Sequence, residues 1–373
     1  MTSGAVTALS IAHTEASMGW GGQEIRILTE ARGLIDRGHR VVVYAPPGAR
    51  IAAEAASYGV PAVALPIGRK RPAGVAALAR AFRAARHDVV NTHSSTDSWL
   101  AAVACRMMRD PPAIVRTRHV SVAVPNDPAT RWLYRKATAR VVTTGEALRA
   151  QLVRDNGLDP ARVESIPTGI DASAYGTLTQ DESRRSLGLP LDVPIVGIVA
   201  TLRSWKGHRH LVDAIAQLAH REALLAIVGD GPQREALERQ VAGLGLAARV
   251  RFAGQQRDVA PWLAALDVFA LPSTANEGVP QALLQAMVAG IPCVTTAAGA
   301  IPEIARDEET ALVVPPGDPA ALAAALDRLI ADRTLRERLA AAARARVVPR
   351  FALEAMLDRM EAAFRRAIGE ARP

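Results

Sequence analysis

The chain is poor in cysteine, in aromatic residues and in long apolar runs, and each shortage removes a class of protein. Only two cysteines occur in 373 residues, Cys105 and Cys293. Neither stands in a CxxC pair or beside a histidine cluster, which argues against a disulfide scaffold and a zinc site; both thiols read as packing residues. Aromatics make up 4% of the chain, too few for the stacking platforms that hold single-stranded nucleic acid, and no nucleic-acid-binding module is present. No run of about 18 apolar residues occurs, so no segment is read as spanning a bilayer. The N-terminal MTSGAVTALSIAH has neither a basic leader region nor a cleavage pattern, which predicts a protein that stays in the cytoplasm.

What is present points to two α/β domains. At 373 residues with 49% hydrophobic content, the chain is too long for one core and can fill two of about 150 to 200 residues each. A net charge of +8 favours anionic partners, of which phosphorylated substrates and acidic lipid fit better than nucleic acid. Short β-like runs alternate with amphipathic stretches, the pattern of a doubly wound parallel sheet. The predicted strands of the first domain are Thr7 to Ala12, Arg40 to Ala45, Ala62 to Leu65, Asp88 to Thr92, Ala113 to Thr117 and Arg140 to Thr144. A last strand is expected from Ile166, running into a Gly and Asp turn. The first helix carries Ile25, Leu28, Ala31 and Ile35 as its apolar stripe.

After the polar stretch Thr177 to Pro190 the alternation restarts. Strands are expected at Ile195 to Ala200, Leu224 to Val228, Arg249 to Phe252 and up to Ser273, with helices from about Gly207, Gln233 and Ala260. From Asp318 onward the chain reads as mostly helical, with Asp318 as cap and Pro319 in the first turn. The final helix is predicted over Phe351 to Ile368. The domains are therefore drawn at 1–172, joined by a terminal helix at about 350–373, and at 173–349.

Candidate site residues fall where such sheets bind ligands, at the C-terminal ends of strands. In LPSTANEGVPQALLQAMVAGIPCV, from Leu271 to Val294, Glu277 stands at the mouth of a loop before a helix predicted over Val279 to Ala289. Gly278 lets backbone approach a ligand, Val279 and Pro280 open the helix, and the unpaired N–H groups there suit a phosphate. A carboxylate at a helix start also complements the helix dipole without any ligand, so residue type alone leaves both roles open. In TLRSWKGH, from Thr201 to His208, Arg203 and Lys206 bring two cations to a second helix start, a diphosphate site. Gly229 in VGDGP and the loop at Gly254 and Gln255 lie at further strand ends. In the first domain Gly21 and Gly22 of SMGWGGQE occupy a sharp strand-to-helix turn. No GxGxxG followed by an acidic strand end is present, which argues against a nicotinamide cofactor. His93 and His119 end the fourth and fifth strands, and His13 lies just past the first. The segment Gly68 to His87 places Arg69, Lys70, Arg71, Arg80, Arg83 and Arg86 around a small-residue helix, which reads either as a solvated basic face or as a surface for anionic lipid.

The stretch around Glu277 resembles the acidic signature of family 4 glycosyltransferases, and the resemblance extends over nearly the whole chain. It implies the GT-B fold, two Rossmann-like domains facing across a cleft with the terminal helix crossing back to the first. It also implies a retaining transfer of a sugar from a nucleotide-diphosphate donor, such as a UDP- or GDP-sugar, to a glycan or lipid-linked acceptor, as in lipopolysaccharide or capsule assembly. No separate cofactor is implied. Glu277 matches the carboxylate that contacts donor sugar hydroxyls, and Gln285 stands where the family usually has a second Glu, on the ribose. An amide accepts hydrogen bonds more weakly than a carboxylate. Gly21 and Gly22 match the glycine loop that reaches the donor phosphates, and Gly229 and Gly254 lie where the base would sit. His119 matches the residue that contacts the transferred sugar, and His93 is placed on the acceptor side. Glu303 also matches. The family's Arg lies five residues before its Lys, where this chain has Thr201, so Arg203 must reach from a displaced position. No DxD motif occurs, which leaves a metal-bridged donor without a ligand set and the leaving charge to Arg203, Lys206 and helix N-termini. Two other readings share the fold: a sugar-nucleotide epimerase and a non-catalytic scaffold.

Overall fold

The structure, a computed structural model, describes residues 7–371 apart from Ser121 and Asn276. The stretch read for an export leader therefore lies partly outside the described residues. The chain divides into two units: one runs to Gly169 and resumes at Glu354, and the other is Ile170–Leu353.

The first unit is built on a seven-stranded parallel sheet. Its strands are β1 (Ser10–Thr14), β2 (Arg40–Ala45), β3 (Ala62–Ala64), β4 (Val89–Thr92), β5 (Ala113–Arg118), β6 (Arg140–Thr143) and β7 (Val163–Ser165). They lie in the order β3-β2-β1-β4-β5-β6-β7. β1 begins three residues later than the composition suggests and extends through His13, because β2 and β4 pair with it as far as Thr14. β7 ends before the predicted Ile166 strand: the Ile166 N–H still bonds to Thr143, and Pro167 has no N–H to carry the ladder further.

The second unit carries β8 (Ile195–Val199), β9 (Leu224–Val228), β10 (Val250–Gly254), β11 (Val268–Leu271), β12 (Cys293–Thr296) and β13 (Leu312–Val314). All are parallel, in the order β10-β9-β8-β11-β12-β13. Strands such as IVGIV in β8 are buried along their whole length, as a sheet with helices on both faces requires.

Three helices differ instructively from expectation. The first, Gly22–Asp36, buries Ile27, Leu28, Ala31 and Leu34 and leaves Ile25 and Ile35 half-buried, because it also buries Arg26 and Glu30. Those two charges tolerate burial by lying 3.6 Å apart, while an Arg26 amino group donates to the Ile166 carbonyl at 2.8 Å. The basic helix Pro72–Ala85 turns Ala77, Leu78, Ala79 and Phe82 into the core. Its large apolar residues are thus used up, and the solvent face carries Arg80 and Arg83 among small residues. The helix after β11 is Gln281–Val288, shorter than predicted: Pro280 is extended, with φ −72° and ψ 121°, and stands just outside the helix, its carbonyl accepting the first helical bond from Leu284. Val279 is a core residue.

The last helix, Leu353–Ala371, buries Met356, Leu357, Met360, Ala363, Phe364 and Ala367. Beyond Glu354 it belongs to the first unit, where Arg366 and Arg140 tie it to Glu164 and Glu370. Among the described residues no helix is long and apolar enough to cross a membrane.

Candidate active site

Both sheets reverse their strand order at one point, between β1 and β4 in the first and between β8 and β11 in the second. At such a point the loops leave in opposite directions and open a crevice, the place where ligands bind in folds of this class.

In the second unit the crevice brings Lys206 and Glu277 together, residues 71 positions apart. Lys206 Nζ donates to both Glu277 oxygens, at 2.7 and 2.9 Å. Ser273 Oγ, at the end of β11, donates to the nearer oxygen at 2.6 Å. Glu277 is only 4% exposed. A carboxylate so buried requires a partner, and Lys206 supplies it.

The loop that positions Lys206 is held by its glycine. Gly207 has φ +77°, and a Cβ there would lie 2.0 Å from the Pro272 carbonyl oxygen. Only glycine permits that turn and that approach of the β8 loop to the end of β11. Thr274 N–H then donates to the Trp205 carbonyl at 2.7 Å and fastens the two loops. Gly299 plays the same part on the other side, where a Cβ would lie 2.2 Å from the Glu277 carbonyl oxygen.

Helix His208–Gln217 begins at Gly207 and helix Gln281–Val288 at Pro280, and neither has a side-chain cap. Their first N–H groups are therefore available to an anion. Arg203 is exposed and lies over the Trp205 ring at 5.8 Å. It lines a pocket of about 320 Å³ with Trp205, His208, Arg209, Gln233 and Thr274. His208 is buried, has no hydrogen-bond partner on either ring nitrogen among the described residues, and is pushed down to about 3 by burial and by Lys206. Gly229 and Gly254 end neighbouring strands and are joined by an N–H to carbonyl bond of 2.8 Å. Gly278 is buried beside Val279, and Gln285 is half-buried on the following helix.

In the first unit the crevice is filled rather than open. Asp97 caps helix Ser95–Arg106. It also accepts from Thr14 Oγ1 at 2.8 Å and from the His93 N–H at 2.9 Å, which ties the ends of β1 and β4 together. His93 is 5% exposed and sits between His13 and His119, 3.0 Å from each. It is an internal link in this structure, with both ring nitrogens bonded to neighbouring histidines. His119 is half-buried. Burial, above all, holds all three rings well below the ordinary histidine value, His13 at about 3. Burial also raises Glu15, Glu30 and Asp97. Gly21 is extended, with φ −174°, a conformation open to any residue, and Gly22 begins the first helix. Among the described residues no group of three or more His, Cys, Asp or Glu is placed to hold a metal ion.

Lys206, Glu277, His93 and His119, named from the sequence, lie at the two switch points. Ser273, Asp97, His208 and the buried pair Arg26 and Glu30, which bond to them or pack beside them, were not named. The available signal was an Asp three residues after Ser94, the spacing of a capping box.

Comparison with known proteins decides the family. A model of Glycosyltransferase Family 4 matches residues 20–174, and one of Glycosyl transferases group 1 matches residues 179–346. The 2-deoxystreptamine N-acetyl-D-glucosaminyltransferase of Streptomyces fradiae is 30% identical over 94% of this chain and 92% of its own length. The chain belongs to glycosyltransferase family 4. The lipopolysaccharide core biosynthesis glycosyltransferase LpsE of Rhizobium meliloti is 36% identical to this family 4 glycosyltransferase over 175 residues, 47% of this chain and 51% of LpsE. The chain thus spans about half of that relative. Among solved structures, Anabaena Alr3699/HepE in complex with UDP-glucose superposes with a TM-score of 0.85 at 23% identity, covering 96% of this chain and 99% of that one. This is a likeness of fold, and it makes the architecture GT-B.

Proposed function

We infer that this enzyme transfers a sugar from a nucleotide-diphosphate donor to a glycan or lipid-linked acceptor with retention of anomeric configuration. The observation that carries the reading is the buried Lys206–Glu277 pair at the switch point of the second sheet, braced by Ser273. The pair holds one fixed cation and one carboxylate at a crevice with uncapped helix starts on both sides. On donor binding Lys206 turns to the diphosphate and Glu277 to the sugar hydroxyls, with Arg203 as the second cation. The crystallised relative with UDP-glucose bound supports a nucleotide sugar as donor. The match to LpsE supports an acceptor in lipopolysaccharide core assembly.

Negative charge grows on the leaving diphosphate as the glycosidic bond breaks, and preorganised donors contribute most there. Glu277 serves as a ligand of the sugar hydroxyls and not as a nucleophile. The transfer is therefore a front-face displacement through an oxocarbenium-like state, in which the departing phosphate oxygen takes the acceptor hydroxyl's proton. His119 contacts the transferred sugar. The exposed cations of helix Pro72–Ala85 attract anionic lipid by charge alone, because its apolar face is buried; flotation with liposomes that shows no dependence on anionic lipid removes this part.

The test is nucleoside diphosphate release measured with and without acceptor extracts, with the product anomer read by NMR. Acceptor-dependent release with retention is expected. Release without acceptor, with an epimerised free sugar, is the outcome of an epimerase and contradicts the reading. A trapped glycosyl adduct on Glu277 contradicts the mechanism.

A further inference from the structure

Three histidine rings stand in a row at the switch point of the first sheet. His13, His93 and His119 come from β1, β4 and β5 or the residues just after them, strands that are neighbours in the sheet. Strands are spaced about 4.8 Å apart, and the ring centroids follow at 5.3 and 5.2 Å. His13 Nδ1 lies 3.0 Å from His93 Nε2, and His93 Nδ1 lies 3.0 Å from His119 Nε2. The inner end is closed. His13 Nε2 faces Glu30 Oε1 at 4.0 Å, within electrostatic reach of the carboxylate but beyond a direct hydrogen bond; Arg26 Nε is 3.6 Å from Glu30 Oε2, and Asn91 Nδ2 donates to Glu30 Oε1 at 3.3 Å. Phe364 presses edge-on against His13. His13, Arg26 and Glu30 are fully buried.

This arrangement has a direction. Burial and the charge of Arg26 keep the three rings neutral, and a neutral imidazole has one donor and one acceptor nitrogen. Two ring-to-ring bonds among three such rings require every hydrogen to point the same way along the row, toward Glu30 or away from it. The inner end selects. Burial raises Glu30, but the Arg26 charge beside it and the Asn91 amide both favour its carboxylate form, and a carboxylate only accepts. The hydrogen of His13 therefore sits on Nε2, and so in turn do those of His93 and His119.

We propose that Glu30, His13 and His93 are positioning residues that hold His119 as its Nε2–H tautomer, so that the bare Nδ1 accepts a hydrogen bond from a hydroxyl of the bound sugar. The functional half of this inference rests on the placement of His119 at the transferred sugar given above. An orienting partner of this kind fixes both ring angle and tautomer, as carboxylate and carbonyl partners do for other functional histidines.

The test reads tautomers directly, by long-range proton–nitrogen NMR of the free enzyme labelled with 15N-histidine, assigned through single His→Gln variants. His13, His93 and His119 are expected as one Nε2–H tautomer each. Glu30→Gln keeps the shape of the inner end but offers His13 a donor, so His119 is expected to lose its single tautomer or to reverse to Nδ1–H. In that variant kcat for transfer falls on the order of tenfold to a hundredfold, with the donor KM unchanged. His119 found as Nδ1–H in the wild type, or unmoved by Glu30→Gln, overturns the chain whatever the activity. If the tautomers behave as expected but transfer does not depend on His119, the contact with the sugar falls while the histidine row stands.

Discussion

The two switch points of this enzyme are built in opposite ways. In the first sheet the crevice is packed with buried polar groups: three neutral rings bonded in a row, Arg26 and Glu30 side by side at 3.6 Å, and Asp97 bonded to both strand ends. In the second, a single ion pair stands among loops closed by glycine, with uncapped helix starts and an exposed arginine around it. A filled crevice can orient a group that is already present. An open one, lined with cations and N–H donors, can receive charge that arrives with a substrate. By this contrast the second switch point is suited to binding an anion and the first to holding a preset side-chain arrangement.

The largest effect that sharpens this contrast is expected from Lys206→Ala. It removes the cation meant for the leaving diphosphate, and a donor of that kind contributes about 3 to 4 kcal/mol to the barrier, so kcat should fall on the order of a hundredfold or more. A loss below tenfold in steady-state assays breaks the comparison at its main point. Next is Gly207→Ala. The left-handed turn and the 2.0 Å approach to Pro272 should cost about 3 kcal/mol of stability by denaturant titration. Gly254→Ala, also at positive φ but with nothing within 4 Å, should cost about 1 kcal/mol.

A third expectation concerns pH. Unfolded, His208 takes a proton near 6.5; folded, it does so only near 3. The unfolded state therefore binds more protons as pH falls through that window, so stability is constant above about 6.5 and declines below it. From pH 7 to 5 this costs about 2 kcal/mol, and His208→Leu should remove that part of the slope in melts at the two pH values. The first unit behaves differently, because Glu15, Glu30 and Asp97 are raised and gain stability on acidification, which opposes its histidines. A small effect is expected from Gln285→Glu: if residue 285 meets the ribose, as the family resemblance implies, the carboxylate should tighten nucleotide binding by about 1 kcal/mol in calorimetry.

Much of the fold was legible because parallel strands buried on both faces read as apolar runs between amphipathic helices, and the resemblance carried by the motif around Glu277 implied the GT-B architecture. The alternation also put Lys206, Glu277, His93 and His119 at strand ends. It could not show that Lys206 touches Glu277 or that His13, His93 and His119 form a row, because both depend on which strands are neighbours, and strand order is not written in local pattern. Periodicity misread the first helix for a related reason. Arg26 and Glu30 count as surface residues until a partner is found for each, and the partners come from the same turn and from Ile166, 140 positions away. The apolar stripe of helix Pro72–Ala85 was seen correctly as a stripe, but amphipathicity alone does not say whether core or lipid covers it.

The most direct test of the central claim is calorimetry of UDP, GDP, ADP and CDP, with their common sugar conjugates, against the wild type and Lys206→Ala, backed by thermal melts. At roughly 100 times its dissociation constant, a bound nucleotide should stabilise the wild type by about 2.7 kcal/mol. One nucleotide is expected to stand out, and its effect to be lost in Lys206→Ala. A nucleotide that binds both proteins equally, or none that binds the wild type, would contradict it.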